Sequence, residues 1–545
     1  MLKPAITAVI IAIFLFFTSA YIALKMGALP WPIIFSIIVS GGLLKVFGQL
    51  SSHQVNIAQA GGSIGGLMAA AIVFTLPGLI LESPNAISPI SLALICLLGA
   101  VLGIGLSIPL RDEYVIKKAL PFPAGKAGGE VIKAGFEKDH RFGLMLLFGI
   151  SAALFTLGRE ALGWNYVPVE FGSVNVLILI MPMVIATGVI LGSENSFSWG
   201  AGGILSVIAS LLLVSIFEIQ NSTPLIQNFG MGIVIGSGIG YILIHIGMPT
   251  GSASFLSKQR SWVWIITILS CFTLFFMGLH IVSVVLCLLL TFITVNLASR
   301  MTGLTNIDPL EQFGLLSALL ITFFFGMVEL QIPVEHRYLI TFFIATATAV
   351  AGDIGHDYRS AQVVGTDHNK IIRVVLIAAI AVSFAVPFLI SLIQDPVIAN
   401  KLFTPDLPAP QAQIVYENLN GLPHPAIFML GLMVAVIIEF FRSRGQLTFL
   451  HLMPFGIGLF LGFNLAFLIA IGGFIALKVQ KKGSQEMLTA IIISAAILGG
   501  EGTIGFLRST VLVFSPENES AILGTVGLIL IALLARSVRH YVSSK

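Results

Sequence analysis

A single carboxylate inside an apolar run is the feature of this sequence best suited to chemistry. Glu501 lies within LGGEGTIG at residues 498–505. A charged residue within a membrane span is costly and is by default a functional candidate. Because burial favours the neutral form of a carboxylate, Glu501 could bind a proton on one side of a membrane and release it on the other. The alternative is a structural carboxylate paired with Arg508, one or two turns along the same run.

A row of polar side chains begins another apolar segment. Asn56, Gln59 and Ser63 are spaced i, i+3, i+7, which places them on one face of a helix. The glycines at 61, 62, 65 and 66 keep that helix thin. The face could line a substrate pathway, or it could hold two helices together by hydrogen bonds between amides. The corresponding face in the second half would carry Asp308 and Glu311, and we take all five as candidate substrate-binding residues.

Asp353 and Asp357 are spaced i, i+4, with His356 between them. Two carboxylates and a histidine could bind a metal or another cation, could gate a pathway, or could cap a helix end in a basic loop. We take Asp353 and Asp357 as candidate gating residues, together with Glu130 in another polar loop. We predict no metal site.

Other chemistries lack their motifs. Gly125-Lys126 has neither the upstream glycine nor the following Ser or Thr of a P-loop, and HExxH and CxxC are absent. The three cysteines all lie in apolar runs, which argues against disulfides. We therefore predict no cofactor and no enzymatic activity, and the net charge of +3 gives no reason to expect a nucleic-acid partner.

The composition indicates which elements must position these residues. Hydrophobic residues make up 57% of the chain and charged residues 10%, and the mean hydropathy is +1.01. About 20 apolar residues cross a bilayer as a helix, and there are many such runs, among them 173–191, 198–218 and 450–477. We predict an all-α polytopic membrane protein with about 16 transmembrane helices. Glycines within 450–477 predict a broken or re-entrant helix there.

The positions of lysine and arginine predict the orientation. Segment 111–141 is rich in both, whereas segment 395–422 has little positive charge. By the positive-inside rule the first is cytoplasmic and the second external, which puts the N-terminus in the cytoplasm. We expect a multi-pass protein of the cell membrane.

The two halves of the chain show weak likenesses in the same order. Residues 56–59 correspond to 308–311, 129–132 to 361–364, and Met181-Pro182 to Met453-Pro454. We predict two parallel tandem repeats, 1–260 and 261–545. Transporters often place their substrate site at such a repeat interface, beside broken helices.

These motifs, taken in order, resemble the prokaryotic branch of the oligopeptide transporter family. The likeness runs from 21–27 (YIALKMG) through 56–63 (NIAQAGGS), 120–123 (LPFP) and 129–135 (GEVIKAG) to 352–354 (GDI) and 500–502 (GEG). The resemblance implies about 16 helices from a duplicated unit. It also implies transport of small peptides, or of metal chelates as in the Yellow Stripe-like relatives, usually with protons.

The sequence departs from the family at several positions. Ala124 and Lys126 stand where the family more often has an acid and a small residue, and His356 stands where a glutamine is more usual. These departures affect the choice of substrate more than the fold. We expect a proton-coupled carrier of peptides or peptide-like solutes. Uptake of metal chelates, a membrane-embedded transferase acting on lipid-linked substrates, and a channel remain as alternatives.

Overall fold

The computed structural model describes residues 1–27, 32–48, 51–84, 86–134, 141–164, 166–171, 174–219, 222–246, 259, 261–305, 308, 310–404, 406–420 and 424–543. Contacts between residues divide the chain into two units, each assembled from two separate stretches of sequence. Unit 1 comprises Met1–Asp139 and Pro249–Asn420, and unit 2 comprises His140–Met248 and Gly421–Lys545. The predicted division into repeats at residue 260 stays a prediction, and residues 247–258 and 260 lie outside the described residues.

Helices make up nearly all of unit 1. Its first stretch holds α1 (Leu2–Met26), α2 (Pro32–Val46), α3 (Ser52–Thr75), α4 (Pro77–Glu82), α5 (Pro89–Leu110), a π-helical turn (Arg111–Lys117) and α6 (Pro123–Ala134). The second stretch, numbered onward after the helices of the intervening unit 2 segment, holds α10 (Ser261–Phe276), α11 (Ile281–Thr305), α12 (Leu310–Met327), α13 (Val334–Val364), α14 (His368–Ser383), α15 (Val386–Gln394), α16 (Pro396–Ala399) and α17 (Pro410–Asn420). In α3 and α13 the apolar span is buried on every side, so these two helices form the interior of the unit.

Unit 2 is also helical, with one exception. It holds α7 (Arg141–Leu162), β1 (Tyr166–Phe171), β2 (Val174–Leu179), α8 (Pro182–Ser215), α9 (Thr223–Ile246), α18 (Pro425–Ser443), α19 (Leu452–Leu461), α20 (Phe463–Gln480), α21 (Ser484–Phe514), a 3-10 turn (Pro516–Asn518) and α22 (Glu519–Ser543).

Thirteen helices of the described chain are long enough and apolar enough to cross a membrane. This confirms the prediction of an all-α polytopic membrane protein. The predicted number of about 16 spans is not confirmed, since α10 and α19 are apolar but shorter than a full span.

The predicted span 173–191 is wrong in its first half. Residues Val174–Leu179 form β2, which pairs antiparallel with β1 so that Tyr166 lies opposite Leu179. The helix begins only at Pro182. Hydropathy alone does not separate a short apolar strand from a helix, and VNVLIL contains the β-branched residues that strands favour.

Two helices of unit 2 are broken at a glycine. Gly462, with φ +72°, separates α19 from α20, which confirms the predicted break within 450–477. Gly192, with φ +80°, interrupts α8. The Ser196 hydroxyl donates to the Gly188 carbonyl at 2.8 Å. Eight residues of straight helix would separate these groups by about 12 Å, so the helix bends sharply at Gly192.

The two broken helices, α8 and α19–α20, pack against each other through small residues. A Cβ atom at Gly188 would lie 2.1 Å from the Ile469 carbonyl oxygen, and one at Gly202 would lie 2.1 Å from the Phe455 carbonyl oxygen. The contacts are reciprocal, because a shift of 270 residues turns Gly188 and Gly202 into Gly458 and Gly472, which make the matching contacts.

The same contacts give the relative direction of α8 and α20. Gly203 lies against Ala466, Gly200 against Ala470 and Ser196 against Gly473, so residue numbers rise along α20 as they fall along α8. These two helices are therefore antiparallel where they pack together. The arrangement of the two halves as parallel tandem repeats stays a prediction.

We predict that Gly188→Ala destabilises the protein, because its new methyl group has no room against the backbone of α20. Overpacking of this kind costs about 1–3 kcal/mol. The matched control is Gly524→Ala in α22, where nothing lies within 4 Å of the added Cβ and alanine favours the helix by about 1 kcal/mol. Melting temperatures in detergent should move in opposite directions, and a fall for both variants would contradict this account of the packing.

Candidate functional site

A cluster of buried polar side chains lies in the interior of unit 1, where α3 meets α13. Asp353, Asp357 and Ser360 are spaced i, i+4, i+7 and so share one face of α13. Asn56 and Gln59 share a face of α3. All five side chains are buried, so their polar groups need partners within the protein.

Hydrogen bonds join these two faces. Gln59 Nε2 donates to Asp357 Oδ1 at 2.8 Å and to Asn56 Oδ1 at 3.4 Å. Asn56 Nδ2 donates to Thr366 Oγ1 at 3.1 Å, and Ser360 Oγ donates to Asn56 Oδ1 at 3.0 Å. In this conformation the predicted substrate-binding face of α3 is thus bonded to a predicted gating residue, Asp357.

Among the residues that the structure describes, Asp308 and Asp353 have no hydrogen-bond donor comparable to the one that Gln59 gives Asp357. Within the described part of the chain, neither carboxylate oxygen of Asp308 or of Asp353 receives a hydrogen bond, although all four oxygens are buried. Asp353 and Glu311 are near enough for their charges to act on Asp308. The structure therefore brings three predicted acidic residues together. Gln312 Nε2 donates to Glu311 Oε1, whereas none of the described residues donates to Asp308 or Asp353.

Gly352 is the point at which α13 approaches the Asp308 carboxylate most closely among the contacts of this glycine. A Cβ atom there would lie 2.7 Å from Asp308 Oδ2 and 3.0 Å from Thr302 Oγ1. Any larger residue would therefore push the Asp308 carboxylate away from α13. The signal was present in the motif Gly352-Asp353, which puts the position of closest approach directly beside a carboxylate.

The remaining predicted residues of unit 1 lie apart from these carboxylates or are already bonded. Ser63 Oγ donates to the Ala60 carbonyl of its own helix at 3.1 Å. Glu130 is exposed on α6. His356 Nδ1 accepts the Gly125 N–H at 3.2 Å, which ties α6 to α13. Among the described residues, no group of three or more His, Cys, Asp or Glu side chains is placed to hold a metal ion.

Unit 2 contains a second candidate site, centred on Glu501 in α21. Glu501 Oε1 accepts from Arg159 Nη1 of α7 at 2.7 Å, and Glu501 Oε2 accepts from the Met183 N–H at 2.8 Å. Met183 is at the N-terminus of α8, where helical N–H groups point outward and favour a negative charge. Both charged side chains are almost fully buried, with 2% and 1% of their surface exposed.

The ion pair belongs to a larger network of charges. Arg159 also binds Glu160 at 2.7 Å and donates to the Ile180 carbonyl at 3.0 Å. Arg508, the partner that the structural alternative gave to Glu501, binds Glu160 and Glu519. The structural alternative thus named the right kind of interaction, but the arginine that the structure places on Glu501 comes from another helix.

Arg159 was not predicted from the sequence. It lies 342 residues before Glu501, and no periodicity connects positions that far apart. The available signal was Arg159-Glu160 at the end of the apolar run 142–160, since charged residues in such a place are candidates by themselves.

Comparisons with known proteins agree on one family. The sequence model described as "OPT oligopeptide transporter protein" matches residues 3–245 and 260–512, which is nearly the whole chain. A protein of Haemophilus influenzae described as "Putative oligopeptide transporter" is 34% identical over 120 residues. That alignment covers 22% of this chain and 19% of the relative.

Proposed function

Because the chain belongs to the OPT oligopeptide transporter family, we propose that it is a secondary active transporter of small oligopeptides or peptide-like solutes, driven by protons. Members of this family are transporters and not enzymes, which confirms the prediction that the chain is not an enzyme. Family membership therefore argues against the alternative of a membrane-embedded transferase. The thirteen apolar helices are those of a multi-pass membrane protein.

One observation carries the proposal of a peptide substrate: the buried oxygens of Asp308 and Asp353 receive no hydrogen bond from any residue that the structure describes. A buried charge without a partner is unfavourable by several kcal/mol. The ammonium group of a peptide supplies one positive charge and three donors, as a lysine ammonium does. We therefore place the peptide's ammonium at Asp308 and Asp353, beside Glu311.

The hydrogen bond between Gln59 and Asp357 gives the gating residues a role. It joins α3 to α13 next to the proposed ammonium site, so movement of either helix would break it. We propose that Asn56, Gln59 and Asp357 hold these helices together when no substrate is bound. Roles for Ser63 in binding and for Glu130 in gating stay predictions.

Glu501 is our candidate for the coupling proton. Its carboxylate is buried within an apolar helix and makes two hydrogen bonds that a proton would weaken. Proton binding would therefore loosen α21 from α7 and from the N-terminus of α8. Such a change of contacts is what links a bound proton to a change of conformation.

The proposal is tested by uptake into proteoliposomes under an imposed pH gradient, with di- to tetrapeptides and metal chelates as separate substrates. We expect peptides to accumulate, and N-acetylated peptides to accumulate far less because they lack the ammonium. The competing function is uptake of metal chelates, as suggested by the Yellow Stripe-like resemblance. Accumulation of chelates without accumulation of peptides would replace our proposal with that one.

We also predict the orientation of the chain in the cell membrane, with the N-terminus in the cytoplasm. Lys118, in the basic segment 111–141, is partly exposed, and Val397, in segment 395–422, is 39% exposed. In a variant lacking the native cysteines, Cys placed at 397 should react with an impermeant thiol reagent in intact cells. Cys placed at 118 should react only after permeabilisation, and labelling of 118 from outside would overturn the topology.

A further inference from the structure

The ion pair of Arg159 with Glu501 can be compared with an equivalent place in the same unit. Gly500 of α21 lies against the Gly149 carbonyl and the Ala153 N–H of α7. In the same way, Gly232 of α9 lies against the Phe428 carbonyl and the Leu432 N–H of α18. The helix pair α9–α18 thus repeats the contact of the helix pair α21–α7.

This correspondence identifies the residues of the α9–α18 pair that stand at the positions of Arg159 and Glu501. The residue after Gly232 is Ile233, which matches Glu501. The shift from Gly149 to Phe428 takes Arg159 to Ile438. The shift of 270 residues between the two broken helices takes Pro182, at the start of α8, to Leu452 at the start of α19. Ile233 and Leu452 belong to one buried apolar cluster, and Ile438 packs against it.

The apolar counterpart shows that this helix packing does not need an ion pair. A buried ion pair is also weak evidence for stability, since apolar residues of similar size are often as good or better. The charges at Arg159 and Glu501 therefore call for an explanation other than packing.

The geometry around Glu501 is that of a carboxylate-binding site. A buried guanidinium holds one oxygen, and a backbone N–H at a helix N-terminus holds the other. The same two kinds of donor recognise carboxylates in ligands. Here the occupant is a side chain of the protein itself.

The charges of the network suggest how the occupant could leave. Facing one another from α7, α21 and α22 are two guanidinium groups, of Arg159 and Arg508, and three carboxylates, of Glu160, Glu501 and Glu519, while α8 contributes the Met183 N–H. A proton taken from water onto Glu501 leaves two charges of each sign. Entry of one external carboxylate then restores the original balance.

We propose that Arg159 and the N-terminal backbone of α8 bind the carboxylate of the transported solute, in exchange for Glu501 when Glu501 takes up the coupling proton. The proposal rests on the proposed function, because it requires a substrate that carries a carboxylate and moves with a proton. It names a residue and a chemical group for substrate recognition. It also explains why the proton and the solute would move together: the proton releases Glu501 from Arg159, and the carboxylate of the solute takes the place of Glu501.

The test compares trialanine with its C-terminal amide as competitors of labelled trialanine exchange in proteoliposomes. We expect the wild type to prefer the free acid by about 30-fold or more, as expected when one side of a buried charge pair is missing. The double variant Arg159→Leu/Glu501→Leu copies the apolar counterpart, so it should fold with a melting temperature near that of the wild type and lose this preference. Glu501→Gln, a second variant that keeps Arg159, should retain the preference.

A matched control removes a different ion pair of unit 2, Arg442 with Glu439 at 2.8 Å. Arg442→Gln/Glu439→Gln should leave the preference for the free acid intact. If the wild type exchanges both peptides equally well, or the double Leu variant keeps the preference, the inference is overturned while peptide transport stands. If the wild type exchanges neither peptide, the proposed function fails and this inference fails with it.

Discussion

Glu501→Gln is expected to abolish pH-driven accumulation of peptide while leaving peptide exchange in place. Glutamine keeps the size of the side chain and one acceptor oxygen, but it cannot take up or release a proton. A gradient of one pH unit supplies about 1.36 kcal/mol per proton, enough for about tenfold accumulation. The wild type should approach that ratio, and the variant should reach equal concentrations inside and outside. Uptake and exchange of labelled peptide in proteoliposomes measure both quantities.

The Glu501→Gln variant also distinguishes a role of Glu501 in proton coupling from a role in stabilising the fold. Arg159 keeps its bonds to Glu160 and to the Ile180 carbonyl, so the loss should be that of one charged hydrogen bond, about 1.5–3 kcal/mol. We therefore expect a well-folded protein with a modestly lower melting temperature. If a well-folded Glu501→Gln protein accumulates peptide like the wild type, Glu501 is not the coupling residue, and Glu311 and Asp353 become the candidates.

Asp353→Asn is expected to weaken peptide binding without destabilising the protein. If Asp353 binds the peptide's ammonium, losing its charge should cost about 2–5 kcal/mol, or a KM raised about 30-fold or more. The carboxylate also lies near Asp308 and Asp357, and none of the described residues donates a hydrogen bond to it, so removing its charge relieves repulsion in the empty protein. The melting temperature should stay the same or rise.

A gain in stability together with a loss of function is a mark of binding residues. The control is Asp395→Asn, which changes an N-cap residue of α16 at a position where asparagine caps equally well. It should change neither transport nor melting temperature. A normal KM for Asp353→Asn, or a lowered melting temperature with normal transport, would show that Asp353 is a structural residue.

The sequence predicted the membrane fold well because the hydropathy of a span is local. The break at Gly462 was also predictable, since glycines clustered in one apolar run. The β-hairpin Tyr166–Leu179 was not, because a short apolar run has the same hydropathy as a strand or as a helix. The antiparallel packing of α8 against α20 depends on contacts between residues far apart in the sequence, which hydropathy does not report.

In the candidate site, too, the sequence predicted the local features and not the contacts between distant residues. Asn56 with Gln59, and Asp353 with Asp357, were predicted from helical spacing, which places side chains on a common face. Their bond across two helices, Gln59 to Asp357, links residues 298 positions apart, so it required the structure. Arg159 could not be predicted for the same reason. The sequence offered only Arg508, in the same apolar run, as a partner for Glu501.

Proton movement during peptide entry is the most direct test of the account. Peptide is added outside proteoliposomes that hold a pH-sensitive dye and start with equal pH on both sides, under a clamped membrane potential. We expect the lumen to acidify as the peptide enters through the wild type, and the peptide to enter through Glu501→Gln without acidification. Peptide entry through the wild type with no change in luminal pH would contradict it.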